Sequence, residues 1–218
     1  MPVLANRRPN RQPKRRLIVA TRNPGKLREF QDLLVGLPFD AVSLAELGLP
    51  SPAETGSSFL DNALSKARHA AALGGAAALA DDSGLEVDAL GGAPGIHSAR
   101  YAGAAANDIA NNLKLNAALA KIPADQRSAR FRCVLVYLDH AEDPEPVIAE
   151  GRWEGRILDT PRGQGGFGYD PYFWIPDREV TAAELTLEEK NRLSHRAAAM
   201  HTLRQSLAVR FDLAASGH

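Results

Sequence analysis

The sequence lacks paired cysteines and long apolar runs, and both absences narrow the class of protein. Cys133 is the only cysteine among 218 residues, which excludes a disulfide framework and a cysteine-based zinc site. A single thiol is typical of proteins from a reducing compartment, so we expect a cytoplasmic protein. No apolar run approaches the roughly 18 residues that a transmembrane helix requires, so no membrane contact is expected.

The first sixteen residues lack acidic side chains and also lack the apolar segment of a secretory signal. They carry six basic residues, and removing these from 26 leaves 20 basic against 26 acidic residues, a balance of −6 for the rest of the chain. We therefore interpret residues 1–16 as a basic, flexible arm and residues 17–218 as a single domain. No aromatic residue interrupts the arm, which argues against a nucleic-acid partner.

The common motifs of nucleophilic and zinc-dependent hydrolases are also missing. The chain contains no G-x-S-x-G elbow and no C-x-x-C pair, and its six histidines do not form H-E-x-x-H. The sequence therefore gives only weak support to a nucleophilic or zinc-dependent mechanism. The glycine-rich segment 91–103 has no ligand signature of its own, and we interpret it as structural.

Hydrophobic periodicity predicts an α/β fold, because strand and helix patterns intermix along the chain. Apolar runs predict strands over residues 16–20, 76–79, 129–138 and 147–157. Helical spacing predicts helices over residues 23–34, 57–73, 107–120 and from 186 onward. Thr186 and Glu189 form a capping box for the last helix. Ser194 is a second possible cap, which would start a new helix and redirect His195.

The turn T-R-N-P-G-K, residues 21–26, joins a predicted strand to a predicted helix. Backbone N–H groups and the helix dipole favour an anion at such a place. Lys26 stands in the first helical turn, where the dipole disfavours a cation, and a bound phosphate would reverse that penalty. The spacing is not that of a Walker A motif. Taken alone, the turn is better explained as a plain connection that carries a surface lysine.

The sequence A-D-D-S-G, residues 80–84, places two carboxylates where a predicted strand ends. Mg²⁺ is commonly held by one or two carboxylates together with substrate phosphates and waters. Successive strand residues point to opposite faces, so only one aspartate need face a ligand. We expect Ser83-Gly84 to turn the chain away, leaving Asp82 exposed in a cleft and Asp81 pointing the other way. Glu54 is a candidate second ligand, and an ordinary turn is the alternative.

Two further patterns combine charge with apolar or aromatic surroundings. The last helix carries an apolar seam of Leu193, Met200, Leu203 and Leu207. Arg196 falls within that seam and Lys190 lies at its edge, and a charge on a packing face is either paired, functional or directed to solvent by a long side chain. The stretch G-Q-G-G-F-G-Y-D-P-Y-F-W, residues 163–174, allows close approach of backbone and offers a flat, polar ligand both aromatic rings and a carboxylate.

Taken in order, five segments resemble the family of non-canonical purine nucleoside triphosphate pyrophosphatases, also called dITP/XTP or inosine triphosphate pyrophosphatases. The segments are LIVATRNPGKLREF, ETGSSFLDNALSKARHAA, ADDSGLEVDALGGAPGIHSARYAG, GQGGFGYDPYFW and AELTLEEKNRLSHRAA. The resemblance covers the chain from about Leu17 to Leu207. The resemblance implies an elongated, twisted mixed β-sheet with flanking helices, two lobes around a nucleotide-binding cleft, and a homodimer. It also implies Mg²⁺-dependent hydrolysis of ITP, dITP and XTP to the monophosphate and pyrophosphate, which removes deaminated purines from the nucleotide pool.

The resemblance also assigns roles to residues. Asp82 is expected to be the general base and a Mg²⁺ ligand, with Glu54 sharing the metal. The triphosphate is expected to contact Thr21, Arg22, Asn23, Pro24, Gly25, Lys26 and Lys66. The rest of the nucleotide is expected to contact Ser83, Phe167, Gly168, Tyr169, Asp170, Lys190, His195 and Arg196. Phe167 would stack on the purine, Asp170 would accept from a ring N–H, and a donor such as Arg196 would favour a 6-oxo group over an amino group.

The chain departs from the family pattern at one position, because its first motif reads T-R-N where the family usually has T-G-N. Arg22 either points to solvent or adds a charge near the triphosphate. This departure leaves open a hydrolase of related chemistry that acts on a different nucleotide. The basic arm leaves open a third hypothesis, a module that binds nucleic acid without catalysis.

Overall fold

The computed structural model describes residues 14–21, 24–52 and 54–211. Within these residues a seven-stranded mixed sheet forms the centre of the fold. The strands are β1 (Arg15–Val19), β2 (Phe39–Ser43), β3 (Ala77–Val87), β4 (Ser128–Leu138), β5 (Val147–Ile157), β6 (Phe173–Ile175) and β7 (Val180–Thr181). Their order in the sheet is β2-β1-β3-β4-β5-β6-β7, with β1 parallel to both of its neighbours and all other pairs antiparallel.

Helices flank the sheet, so the predicted α/β class is confirmed. The α-helices of the described chain are α1 (Pro24–Leu33), α2 (Phe59–Gly74), α3 (Asp108–Leu119), α4 (Leu187–Leu193) and α5 (His195–Arg210). Among the same residues, no helix has the combination of length and apolar character that crossing a bilayer requires. Strand β1 begins at Arg15, so it includes the last two residues of the predicted arm. The arm up to residue 13 lies outside the described residues.

Strand β3 is longer than the sequence predicts. A strand over 76–79 with a turn after Asp82 is wrong, because β3 pairs with β4 in antiparallel register as far as Val87. Gly84 does not turn the chain; it allows close packing, since a Cβ atom there would clash with the carbonyl oxygen of Gly95. Both aspartates therefore lie in the middle of a strand and not at its end.

Strand β3 separates two packed layers. On one face Leu79 shares a core with Phe30 of α1 and Leu203 of α5. On the other face Ala80 shares a core with Ala67 of α2, whose small residues pack on the sheet as predicted. Because side chains alternate along a strand, the two neighbouring aspartates of β3 face different layers.

A third core region surrounds the far ends of the long strands. It includes Leu85 of β3, Phe131 of β4, Trp153 of β5 and Phe173 of β6. The long strands thus have separate packing regions along their length, which agrees with the two lobes that the resemblance implies. The middle of β3 lies where these regions meet.

The last predicted helix consists of two helices. Thr186 and Glu189 form the predicted capping box at the start of α4. Ser194 ends α4 and caps α5, where its side chain accepts a hydrogen bond from the backbone N–H of Ala197. The alternative in which Ser194 starts a new helix is therefore confirmed. As a result His195 points inward and is only 5% exposed.

Candidate active site

Residues predicted to contact the nucleotide surround a cavity beside the middle of β3, here called the central cavity. Its walls come from β3, the start of α1, the 3₁₀ segment Gly95–Arg100, the start of α3, the loop before β6, and the facing ends of α4 and α5. The predicted residues that line it are Lys26, Ser83, Phe167, Gly168, Tyr169, Asp170, Lys190, His195 and Arg196. The structure therefore brings together residues that are up to 170 positions apart in the numbering, between 26 and 196.

Asp82 faces the α2 layer, in what we call the carboxylate–lysine cluster of Glu54, Lys66 and Asp82. The Nζ of Lys66 lies 2.7 Å from Asp82 Oδ1 and 3.0 Å from Glu54 Oε1. Asn62, which the sequence analysis did not single out, donates from Nδ2 to Asp82 Oδ2 at 3.1 Å. Asp82 is only 5% exposed, so the prediction of an exposed carboxylate is wrong. The covering residues belong to α2, which the strand prediction did not place against Asp82.

The pKa values of the two carboxylates in this cluster are shifted in opposite directions. Burial raises the pKa of Asp82 above its usual value, and the charge and hydrogen bonds of Lys66 only partly offset this rise. Burial also acts to raise the pKa of Glu54, but the charge of Lys66 and the hydrogen bonds from Lys66 and Arg100 outweigh it and lower the pKa. Asp82 is thereby tuned to accept a proton more readily than an ordinary aspartate, whereas Glu54 is held as an anion.

Asp81 points to the opposite face, as predicted. Its Oδ2 lies 2.8 Å from Lys26 Nζ and 3.1 Å from Arg196 Nη2, and it accepts a hydrogen bond from the Ser83 hydroxyl at 2.7 Å. Burial alone would raise the pKa of Asp81, but the charges of Lys26 and Arg196 lower it far below its usual value. Asp81 is therefore a permanent anion that organises two cations.

Glu29 of α1 extends this ion-pair network. It is 2% exposed and contacts the guanidinium of Arg196, and its Oε1 lies 3.1 Å from Lys190 Nζ. Glu29 thus connects α1 to both α4 and α5. The sequence analysis missed this residue, although its position three residues after Lys26 places both charges on one helix face.

The start of α5 presents two buried polar atoms that have no hydrogen-bond partner among the described residues. They are Nδ1 of His195 and Nε of Arg196, and both side chains line the central cavity. Buried polar atoms in proteins are nearly always hydrogen-bonded, so these two indicate where polar ligand atoms are expected. Burial, with the nearby charges of Arg196 and Lys190, lowers the pKa of His195 well below 6.5 and keeps the ring neutral at pH 7.

The glycine-rich loop before β6 packs against the carboxylate of Asp170, a residue of the same loop. A Cβ atom on Gly166 would clash with Asp170, so glycine allows this side chain to fold beneath the loop. Asp170 Oδ2 accepts from the Phe167 backbone N–H at 2.9 Å and from Lys190 Nζ at 2.7 Å. The same Nζ lies 4.4 Å from the centroid of the Phe167 ring, within range of a cation–π contact. The loop therefore holds Phe167 at the cavity wall, while Tyr169 is 4% exposed and donates its hydroxyl to the Ser98 carbonyl at 2.8 Å.

The segment 91–103 does more than connect elements, which corrects its interpretation as purely structural. Ser98 and Ala99 line the central cavity. Arg100 donates from Nη1 to Glu54 Oε2 at 2.7 Å and from Nη2 to the Glu54 carbonyl at 3.2 Å. The sequence gives no local signal for this contact, because the two residues are 46 positions apart.

The predicted phosphate-binding turn is described only in part. Arg22 and Asn23 lie outside the described residues, so their expected roles stay predictions. Thr21 ends the segment after β1 and is 7% exposed, and α1 begins at Pro24. Lys26 lines the central cavity, and its charge contributes to the low pKa of Glu54. Lys26 therefore lies between the central cavity and the carboxylate–lysine cluster.

Comparison with known proteins identifies the family to which this arrangement belongs. A model described as the Ham1 family matches residues 17–206. The chain belongs to the Ham1 family. A dITP/XTP pyrophosphatase from Xanthomonas axonopodis pv. citri is 56% identical over 193 residues, which cover 88% of this chain and 97% of the relative. A dITP/XTP pyrophosphatase from Vibrio cholerae is 53% identical over 87% of this chain and 94% of the relative.

A solved structure leads to the same family. The HAM1 protein of Coxiella burnetii superposes with a TM-score of 0.82 at 46% identity, over 88% of this chain and 98% of that protein. The resemblance that five sequence segments indicate is thereby confirmed, together with the mixed sheet and flanking helices that it implies.

Proposed function

We propose that this Ham1-family chain hydrolyses ITP, dITP and XTP to the nucleoside monophosphate and pyrophosphate in the cytoplasmic nucleotide pool. The activity stated in the names of its Xanthomonas and Vibrio relatives supports this proposal. The structural observation that carries it is the position of Lys26. This side chain lines the central cavity, pairs with Asp81 and acts electrostatically on Glu54. A nucleotide with its base in the cavity would extend its phosphates past Lys26 towards Lys66.

Recognition of the base would depend on one aromatic face and two unused polar atoms. Phe167 offers a ring for stacking, already polarised by Lys190 Nζ at 4.4 Å. Arg196 Nε is a donor without a partner among the described residues, and a 6-oxo purine would offer it an acceptor. The amino group of adenine would offer a second donor in the same place. A mismatch of this kind between buried polar groups discriminates strongly between substrates.

Asp82 would act as the general base. It would take a proton from water as the water oxygen bonds to the α-phosphorus of the α–β linkage. The bridging bond of that linkage then breaks, and pyrophosphate leaves with the electron pair. The raised pKa of Asp82 suits a proton acceptor. Lys66, whose Nζ lies 2.7 Å from Asp82 Oδ1, would be available to bind the phosphates. Lys66 would then exchange part of its contact with Asp82 and Glu54 for contact with the substrate.

The carboxylate–lysine cluster has the donor set that Mg²⁺ uses in nucleotide enzymes. No group of three or more His, Cys, Asp or Glu residues that could hold a metal occurs in the described part of the chain. Mg²⁺ needs only one or two carboxylates when substrate phosphates and waters complete its shell, and Glu54 and Asp82 meet this requirement. We propose that these two residues hold Mg²⁺, which when bound would neutralise charge on the phosphates. The low pKa of Glu54 keeps one of these ligands anionic.

The products of ITP hydrolysis test this proposal. Purified protein incubated with ITP and Mg²⁺ should release inosine monophosphate and pyrophosphate in equal amounts, measured by anion-exchange chromatography without a coupling enzyme. The Asp82→Asn variant, assayed in parallel, identifies any contaminating activity. Orthophosphate as the first product would contradict cleavage of the α–β linkage.

We also propose a homodimer without a nucleic-acid partner, and this rests on the family resemblance and the composition of the arm. Light scattering at several protein concentrations should give twice the mass of the 23.4 kDa chain. A monomer mass at micromolar concentration would contradict the dimer. Binding of an unrelated DNA duplex at moderate salt would contradict the proposed absence of a nucleic-acid partner.

A further inference from the structure

The first turn of α3 holds the peptide groups next to Phe167. Asp108 Oδ2 accepts a hydrogen bond from the backbone N–H of Gly168 at 2.7 Å. Asn112 Nδ2 donates to the backbone carbonyl of Gly168 at 2.8 Å, and also to the Asp108 carbonyl at 2.9 Å. Both backbone polar groups of Gly168 are therefore bound by side chains one helical turn apart.

The neighbouring residue of α3 holds the opposite wall of the central cavity. Asn111 accepts from the backbone N–H of Ala102 at 2.8 Å and donates to the carbonyl of Ala99 at 3.2 Å. Asn111 is 3% exposed and Asn112 is 7% exposed, so both amides are shielded from competing water. The start of α3 thus connects the 3₁₀ segment to the glycine-rich loop across the cavity.

These contacts fix the backbone both at Phe167 and at the residue that follows it. Its own backbone N–H is held by Asp170 at 2.9 Å, and the next residue is held by Asp108 and Asn112. A glycine-rich loop without such contacts has unusual backbone freedom. A ring on a loose loop would lose part of its stacking energy in ordering the loop when a base binds.

We propose that Asp108 and Asn112 are positioning residues for the purine, because by holding Gly168 they fix the Phe167 ring on which the base stacks. This inference rests on the proposed function. It predicts that losing either contact weakens binding of the base in the ground state and in the transition state alike. KM for ITP should therefore rise while kcat stays nearly constant.

A double-mutant cycle tests whether Asp108 acts through Phe167. We expect Asp108→Ala to raise KM for ITP by about five- to tenfold, the scale of one ordinary intramolecular hydrogen bond. Phe167→Ala should raise KM by about tenfold or more, the scale of one base–aromatic stack. The double variant should match Phe167→Ala alone, because the contact has nothing left to position. Asp108→Asn retains an acceptor oxygen and should restore most of the wild-type KM.

A matched control separates positioning from general loosening of α3. Asn107 caps the same helix by accepting from the Ala110 N–H at 2.9 Å, and within the described residues it forms no hydrogen bond with Gly168. Asn107→Ala should lower the melting temperature without changing KM. If Asp108→Ala fails to fold, Asn112→Ala removes the hydrogen bond to the carbonyl of Gly168 instead and should raise KM by a similar factor.

The outcomes distinguish this inference from the proposed function. A rise in KM for Phe167→Ala with none for Asp108→Ala or Asn112→Ala would overturn the inference and leave the base site intact. Additive effects in the double variant, or an equal rise in KM for Asn107→Ala, would also overturn it. No change in KM for Phe167→Ala would overturn the stacking assignment itself, and the inference with it.

Discussion

The two faces of strand β3 use the same residue type for different purposes. On the α1 and α5 face, Asp81 receives two cations and a hydroxyl, and its pKa falls far below the usual value. On the α2 face, Asp82 receives one lysine and one amide, and its pKa rises. Neighbouring carboxylates thus differ because the cations that compensate for burial are unequally distributed between the faces.

We expect the two faces of β3 to have different functions in the site because of this difference. The Asp81 face fixes Lys26 and Arg196 beside the central cavity and has no spare basicity. The Asp82 face keeps a carboxylate with raised pKa next to Lys66, where it is able to accept a proton. Under the proposed function, a single strand would join a binding wall to a reactive cluster, so substitutions on the two faces should have different consequences.

The largest effect is expected for Asp82→Asn. The variant keeps the shape of the side chain but cannot take a proton, so kcat for ITP should fall by about two or more orders of magnitude. The fold should persist, because Lys66 retains Glu54 at 3.0 Å. Steady-state kinetics combined with a thermal melt checks both statements. Near-normal turnover by Asp82→Asn would move the search for the base to Glu54.

Asp81→Asn should affect stability more than turnover. Removing this anion takes away one of the two carboxylates that contact Arg196, which is 1% exposed, and leaves Glu29 as the other. Losing a buried ion pair of this kind costs about 3 kcal/mol. Urea unfolding measured beside wild type should show this loss, with a smaller fall in kcat than for Asp82→Asn. A stable Asp81→Asn protein that has lost its turnover would reverse the assignment of the two faces.

His195, which lies on the Asp81 side of the sheet, should make the free energy of unfolding depend on pH. The unfolded chain binds a proton at this histidine near pH 6.5, whereas the folded chain resists protonation because the pKa is lowered well below 6.5. The unfolded state then binds more protons, so stability is lost as pH falls below 6.5, by at most about 1.4 kcal/mol per pH unit. His195→Gln cannot titrate and should show a flatter profile. Urea unfolding between pH 5 and 8 compares the two, and parallel profiles would refute the neutral, buried histidine.

Much of this arrangement follows from local sequence patterns. The α/β class, the capping box at Thr186 and the second cap at Ser194 depend on residues close together in the chain. The extent of β3 does not, because Ser83-Gly84 resembles a turn until pairing with β4 is known. The burial of Asp82 follows from the same long-range contacts.

The contacts that tune the site were the least predictable. Glu29 and Arg100 are ordinary surface-type residues in the sequence, and only the tertiary fold brings them to Arg196 and Glu54. The sign of a pKa shift depends on such partners as much as on burial. Residue patterns and the family resemblance therefore single out Asp82 as the expected base, but the direction of each carboxylate's pKa shift follows only from the tertiary contacts.

The measurement that tests the account most directly is kcat/KM for ITP, XTP, GTP and ATP with pyrophosphate release as the readout. The account predicts that ITP and XTP exceed ATP by at least about a hundredfold, because the 6-amino group would face Arg196 Nε, a donor that has no partner among the described residues. Equal values for ITP and ATP, or a preference for ATP, would contradict both the proposed substrate and the role assigned to the central cavity.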